Sequence, residues 1–323
     1  MAGDALAKTH TLNRAGEVGP DIYAEWRAST LGAITESLEQ ELVLKFAGPL
    51  SGKAVLDVGC GDGTLTAEFH RKGALFVVGC DSDPHMMAKA TARTMAERDA
   101  MSYLLGRAEH LPFRDQSFDV VTAITVLCFV EQRSRAVEEM ARVLKPGGRL
   151  VIGELGRWST WAASRRIRAW LGNAFWRHAC FTTAHELRTA TIAAGLHVDR
   201  FRGAIYYPHC SLAARPMKPL DPILGGITTA GAAFIAMQAT KEAATSSLAG
   251  SRRTGAWSET RPSVVPLSQL DQPVTPDQVF GSDNSNQRAD AAARGCPSSM
   301  SVCRACRSWL RTCMTWLAPP WSG

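Results

Sequence analysis

Between residues 51 and 242 the chain alternates short β-branched runs with amphipathic stretches, and that rotation leaves few folds open. AVLDVG, LFVVGCD, MSYLLGR, FDVVTAIT and RLVIGEL read as strands, while TLTAEFHRK, HMMAKATARTMAERD and SRAVEEMARVL between them read as helices. Strand, helix, strand in strict order predicts an α/β protein with a doubly wound, mostly parallel sheet covered on both faces. KPGG, residues 145–148, predicts a turn from a helix into the next strand. VDRFRGAIYYP and GAAFIAMQATK predict two further strands, for seven in all, with an irregular Pro-rich insert between them.

The flanks differ in texture. In residues 1–50, Ile22, Trp26, Leu31, Ile34, Leu38, Leu42 and Leu44 recur at loosely helical spacing until Gly48 and Pro49 stop the pattern. Residues 243–323 are rich in Ser, Arg, Pro, Gly and Gln, contain no Lys and show no sustained period, so a disordered tail is expected there. A net charge of +6 over 323 residues, without one long basic run, does not point to nucleic acid. Cys60, Cys80, Cys128, Cys180 and Cys210 lie among apolar residues without a pairing pattern and are expected to be reduced thiols of a cytoplasmic protein. Cys296, Cys303, Cys306 and Cys313 hold one C-x-x-C and no following His, so no metal site is expected. MAGDALAKTH lacks a secretory pattern, and the longest apolar region, 222–237, is broken by glycines and threonines.

VLDVGCGDGTLT, residues 55–66, is the most informative segment. Val55, Leu56 and Val58 form a buried strand, and Gly59, Gly61 and Gly63 turn the chain into a helix where backbone N–H groups can approach a ligand. The spacing G-x-G-x-G after Asp57 is not that of the dinucleotide fingerprint. About twenty residues on, Asp81 closes the second strand, where a carboxylate can accept both hydroxyls of a ribose. Asp83 before Pro84 supplies the helix cap, which leaves Asp81 for the sugar.

With AEHLPF, DQSFDVV and EEMARVLKPGGRLVI following VLDVGCGDG and GCDSDPHMM in order, the chain resembles the UbiE-like class I methyltransferases, the methyltransferase type 11 group. The resemblance covers roughly residues 20–155 and continues more weakly to 242. It implies a Rossmann-like seven-stranded class I methyltransferase fold and S-adenosylmethionine (SAM) as cofactor, with residues 1–50 as an N-terminal helical lid and a substrate-side cap around 156–225. By it, Gly59 and Gly61 would meet the methionine part and Asp57 would position its amino end. Asp81 would hold the ribose, Ala108 and Glu109 would border the adenine, and Thr125 with Val126 would lie under the methionine. Arg107 departs from the pattern, since relatives commonly carry Asp there and a guanidinium accepts no hydrogen bond. Either Glu109 or a backbone carbonyl substitutes for it, or the cofactor binds more weakly.

On the acceptor side, Tyr23 and Trp26 resemble the family's lid over the reacting centre, or are packing aromatics of an amphipathic helix. Cys128 and Phe129 stand where many relatives have a His pair, which removes one base and makes the pocket more apolar. His178, His185 and His209 lie in the variable part. In residues 156–177, Trp158, Trp161, Trp170, Phe175 and Trp176 alternate with five arginines. Trp161 and Arg165 are the candidates for a roof over the acceptor; the same segment could serve peripheral membrane contact or simply pack on the sheet edge. Residues 122–129, TAITVLCF, lack the Pro-Pro loop that grips a flipped base. The expected function is therefore methylation of a small apolar or aromatic metabolite. The alternatives are quinone or lipid methylation at a membrane surface and a non-catalytic SAM-binding regulator.

Overall fold

The computed structural model describes residues 25–94, 100–172, 176 and 179–243; Tyr23, Phe175, Arg177, His178 and residues 244–323 lie outside them. Helix α1 (Thr30–Ala47) opens the described chain, with Ser29 capping it by accepting from Gly32 N at 3.1 Å. Then come β1 (Ala54–Val58), α2 (Thr64–Arg71), β2 (Phe76–Asp81), α3 (Pro84–Arg93), β3 (Met101–Leu105), β4 (Phe118–Ile124), α4 (Arg133–Val143) and β5 (Leu144–Leu155). The last part is α5 (Thr160–Trp170), α6 (Ala184–Ala193), β6 (Leu196–Ala204), α7 (Ser211–Met217), α8 (Asp221–Ile227) and β7 (Phe234–Lys241).

The seven strands form one sheet in the order β3-β2-β1-β4-β5-β7-β6, with β1 to β5 parallel and β7 antiparallel to both of its neighbours. Because both faces are covered, the strands read as near-continuous apolar runs whose side chains alternate between two cores. Val55, Val77, Val120 and Val151 pack with Leu38 and Phe46 of α1 and Phe69 of α2. Leu56, Val78, Val121 and Ile152 pack with Val137 and Met140 of α4 and Leu187 of α6. The described part of residues 1–50 is thus a layer of the sheet's cover. Trp26 is half-buried against that first core.

Two local expectations change. KPGG is no separate turn but a bulge inside β5, between the pairs Phe118–Leu144 and Val120–Arg149. The insert before β7 holds the two short helices α7 and α8, with Pro222 in the first turn of α8, where a missing N–H costs nothing. Between β1 and β4 the connections diverge to opposite sides of the sheet, which opens a crevice at the carboxyl ends of the strands.

Candidate cofactor and acceptor site

That crevice holds a cavity of about 280 Å³ lined by Val58, Gly59, Cys80, Asp81, Ser82, Gly106, Arg107, Ala108, Glu109, Thr125, Val126, Phe129 and Val130. Six of the residues named from sequence meet there: Gly59, Asp81, Ala108, Glu109, Thr125 and Val126. The turn from β1 to α2 is held to β2, with Gly59 N and Cys60 N donating to Cys80 O at 2.6 and 3.2 Å. Gly59 has φ +68°, and a Cβ on it would lie 2.2 Å from Val126 Cγ2, so only glycine lets this backbone meet the facing wall. At Gly61 an added Cβ would meet nothing within 4 Å.

Asp81 is engaged from two sides, its Oδ2 accepting Gly61 N at 2.8 Å and its Oδ1 accepting Asp83 N at 2.9 Å. Each oxygen keeps a lone pair for a further donor. Asp83 caps α3 through His85 N at 2.8 Å. A glycine cradle beside a carboxylate at the end of the second strand fits a nucleoside-bearing cofactor.

The other three residues named for the cofactor are not among those lining the cavity. Asp57 is buried, accepting the Thr66 and Thr122 hydroxyls at 2.8 Å each, so it ties β1 to α2 and β4. Burial pushes its carboxyl up to about 6 against the pull of those hydroxyls. Gly61 offers its N–H to Asp81, and Gly63 caps α2 close against Tyr103. Arg107 lines the cavity and donates to Glu109 Oε1 at 3.0 Å, while its carbonyl is taken by His110 N at 3.1 Å. Of the two substitutes for the missing carboxylate, Glu109 keeps its other oxygen outside that pair.

Sequence reasoning missed a clamp on the glycine turn. Arg27 pairs with Asp62 and donates to Thr64 Oγ1 at 2.9 Å, while Arg93 of α3 reaches Asp62 Oδ2 at 2.8 Å. Burial opposes the charge on Asp62, but the hydrogen bonds and charges of Arg27, Thr64 and Arg93 outweigh it and hold the carboxyl below its usual range. These partners come from 35 and 31 positions away, beyond any local pattern.

A second omission is Glu154, the lone acid in the apolar run RLVIGEL, which was the available signal. It is fully buried, its Oε1 accepts Leu127 N at 2.7 Å, and the Cys128 thiol lies beside it. It therefore anchors the loop after β4 that carries Thr125, Val126 and Phe129. Thr125 itself is held at φ +55°, a strained conformation for a β-branched residue. Burial raises Glu154 to about 7, opposed by the Leu127 N–H and the charge of Arg133.

A carboxyl near 4.5 in the unfolded chain and near 7 in the native one keeps its proton only when folded. Stability then falls as pH rises through that window and is flat above it. Urea unfolding from roughly pH 5 to pH 8 is expected to show a loss of up to about 3 kcal/mol from this group, so that Glu154→Gln lowers the slope while the buried Glu39 and Asp57, also raised, keep the rest. An unchanged slope in the variant rules Glu154 out as its source.

The segment around α5 packs on the same loop. Cys180 N donates to Cys128 O at 2.9 Å, and Phe181 and Ala162 pack with Cys128 and Leu155. Trp161 is buried, its Nε1 donating to Tyr207 O at 2.8 Å and its ring centroid 4.3 Å from that of His209, so it fastens α5 to the chain after β6. Arg165 lies over the Trp161 and Trp176 rings at 5.4 and 4.5 Å. His185 is exposed on α6. The five described cysteines are free thiols, and no group of metal-ligating side chains occurs among the described residues.

Strand order, glycine cradle and carboxylate together define the class I methyltransferase fold. The family described as "Methyltransferase domain" matches residues 56–152. Demethylmenaquinone methyltransferase of Thermobifida fusca is 38% identical over 153 residues, 47% of this chain and 58% of that protein. Methyltransferase GfsG of Streptomyces halstedii is 38% identical over 158 residues, 47% of this chain and 57% of its own length. The chain thus spans a little over half the length of the curated relatives it matches. Among solved structures, a SAM-dependent methyltransferase from Thermotoga maritima superposes with a TM-score of 0.52 at 21% identity, over 69% of this chain and 96% of that one. Geranyl diphosphate C-methyltransferase from Streptomyces coelicolor A3(2), solved with S-adenosyl-L-homocysteine, gives 0.52 at 15% identity, over 68% and 84%. At these identities the likeness is one of fold. Residues 56–152 thus match the methyltransferase-domain family, and the sheet has the fold of the SAM-dependent methyltransferases it superposes on.

Proposed function

We propose that the chain transfers a methyl group from SAM to a small, apolar or aromatic metabolite. The observation that carries this reading is the make-up of the cavity: polar groups at Asp81 and Glu109 and an apolar wall of Val126, Phe129 and Val130. When bound, SAM supplies an electrophilic methyl carbon on its sulfonium. The protein's part is then to orient and to exclude water. Asp81 and the Gly59 backbone fix the cofactor end, and Thr125 and Val126 form the floor. The cap anchored by Trp161 shields the acceptor. Alignment of this kind is worth roughly 7–11 kcal/mol of barrier, which leaves a general base necessary only for an acceptor that must lose a proton.

A quinone acceptor at a membrane surface is the second reading. It is favoured by the relatives named for demethylmenaquinone and by the exposure of Trp158, Trp170 and Leu171 around α5. Among the described residues no helix is long and apolar enough to cross a membrane. The test is transfer of radiolabelled methyl from SAM to phenols, naphthols and quinols, followed by extraction. Label in an extractable product is expected. Binding of S-adenosylhomocysteine with no transfer to any acceptor would leave the regulator as the better reading.

A further inference from the structure

We propose that the outward face of α7 and α8 is a docking surface for an anionic lipid bilayer. The two helices present Leu212, Leu220, Ile223 and Ile227 to solvent at 81%, 52%, 61% and 77% exposure. Leu220, Ile223 and Ile227 recur at the three- and four-residue spacing of one stripe along α8, and with Leu212 of α7 they face solvent, the reverse of what packing on the sheet requires. An exposed aliphatic stripe on a folded chain marks a contact surface.

The stripe cannot be buried by a small rotation. Asp221 fixes the start of α8 by accepting Ile205 N and Tyr206 N at 2.9 Å each. Gly225 lies flush on β6, where a Cβ would come within 2.0 Å of Gly203 O. The apolar face is therefore presented by the fold itself.

Charge selects the occupant. Between residues 208 and 233 the charged residues are Arg215, Lys218 and Asp221, and the acid is buried while Arg215 is exposed and Lys218 half-exposed. The outward face is thus aliphatic and cationic with no exposed acid, the combination that settles at the headgroup and acyl boundary of anionic lipid. A twofold contact with a second copy would instead bring like charges together, at a cost. The surface is separate from the cavity, so the inference stands whether or not methyl transfer is the activity.

The test is flotation of the full chain with phosphatidylcholine vesicles and with vesicles carrying about one quarter phosphatidylglycerol, close to the charge of a cytoplasmic leaflet. Binding is expected on the anionic vesicles, weakened by added salt. Arg215→Ser with Lys218→Ser should weaken it roughly thirtyfold, and Ile223→Ser with Ile227→Ser should abolish it. S-adenosylhomocysteine binding, measured on the same samples, should be unchanged in both and so confirm that they fold. No flotation of the wild-type chain overturns the proposal, as does wild-type binding by both variants. A wild-type dimer in sedimentation that the Ile variant dissolves assigns the face to a second copy and overturns it as well.

Discussion

Asp81→Ala is expected to weaken S-adenosylhomocysteine binding by roughly two to four orders of magnitude, because each hydrogen bond to a charged group is worth about 1.5–3 kcal/mol and a ribose offers two. The same carboxylate accepts Gly61 N–H and Asp83 N–H, so its removal also loosens the glycine turn against α3. Asp81→Asn separates the two contributions. It keeps an acceptor oxygen and the shape but loses the charge, and should fall between wild type and Ala. Calorimetry on the full chain measures all three. Equal affinity in wild type and Asp81→Ala would remove the ribose role and leave the residue as a fastener of backbone.

Gly59→Ala should cost about 2–5 kcal/mol of folding stability and reduce cofactor binding below detection. Left-handed backbone costs a residue with Cβ roughly 1–2 kcal/mol, and the new methyl overpacks Val126, typically for 1–3 kcal/mol more. Val126 is a short branched side chain with little freedom to retreat, which is why the 2.2 Å approach matters. Adding Val126→Ala to Gly59→Ala should return the steric part and not the backbone part, a partial rescue readable by urea unfolding. A Gly59→Ala chain as stable as the wild type would mean that the loop is free to move away from the facing wall.

Much of this was legible in the sequence for a physical reason. Parallel strands buried on both faces must be apolar throughout, so AVLDV, FVVGCD and FDVVTAI announce themselves without help from neighbours. The glycine turn and Asp81 are equally visible, because chemistry at that end of a strand requires those residue types. Local rules missed what is decided by long-range contact. The Arg27–Asp62–Arg93 clamp joins three separate segments, and nothing near Arg27 marks it. Asp57 stands in the right motif, yet its surroundings of Thr66 and Thr122 make it a fastener inside the wall. Helix α6 did carry a local mark, the capping box of Thr183 and Glu186, and went unread beside the aromatic segment before it. Three prolines at 216, 219 and 222 disguised α7 and α8 as irregular chain, although two of them lie within the helices' ends.

The placement of β7 has a consequence for how such a chain is made. Among the described residues the last strand to be made is an interior one, seated between β5 and β6, and β6 has no other described strand beside it. Until residue 241 has been synthesised, β5 presents an open edge and β6 waits without a partner. The sheet is completed from within, by a strand made after both of its neighbours. Its most exposed moment therefore comes when the half from β1 to β4 already has all its strands in hand.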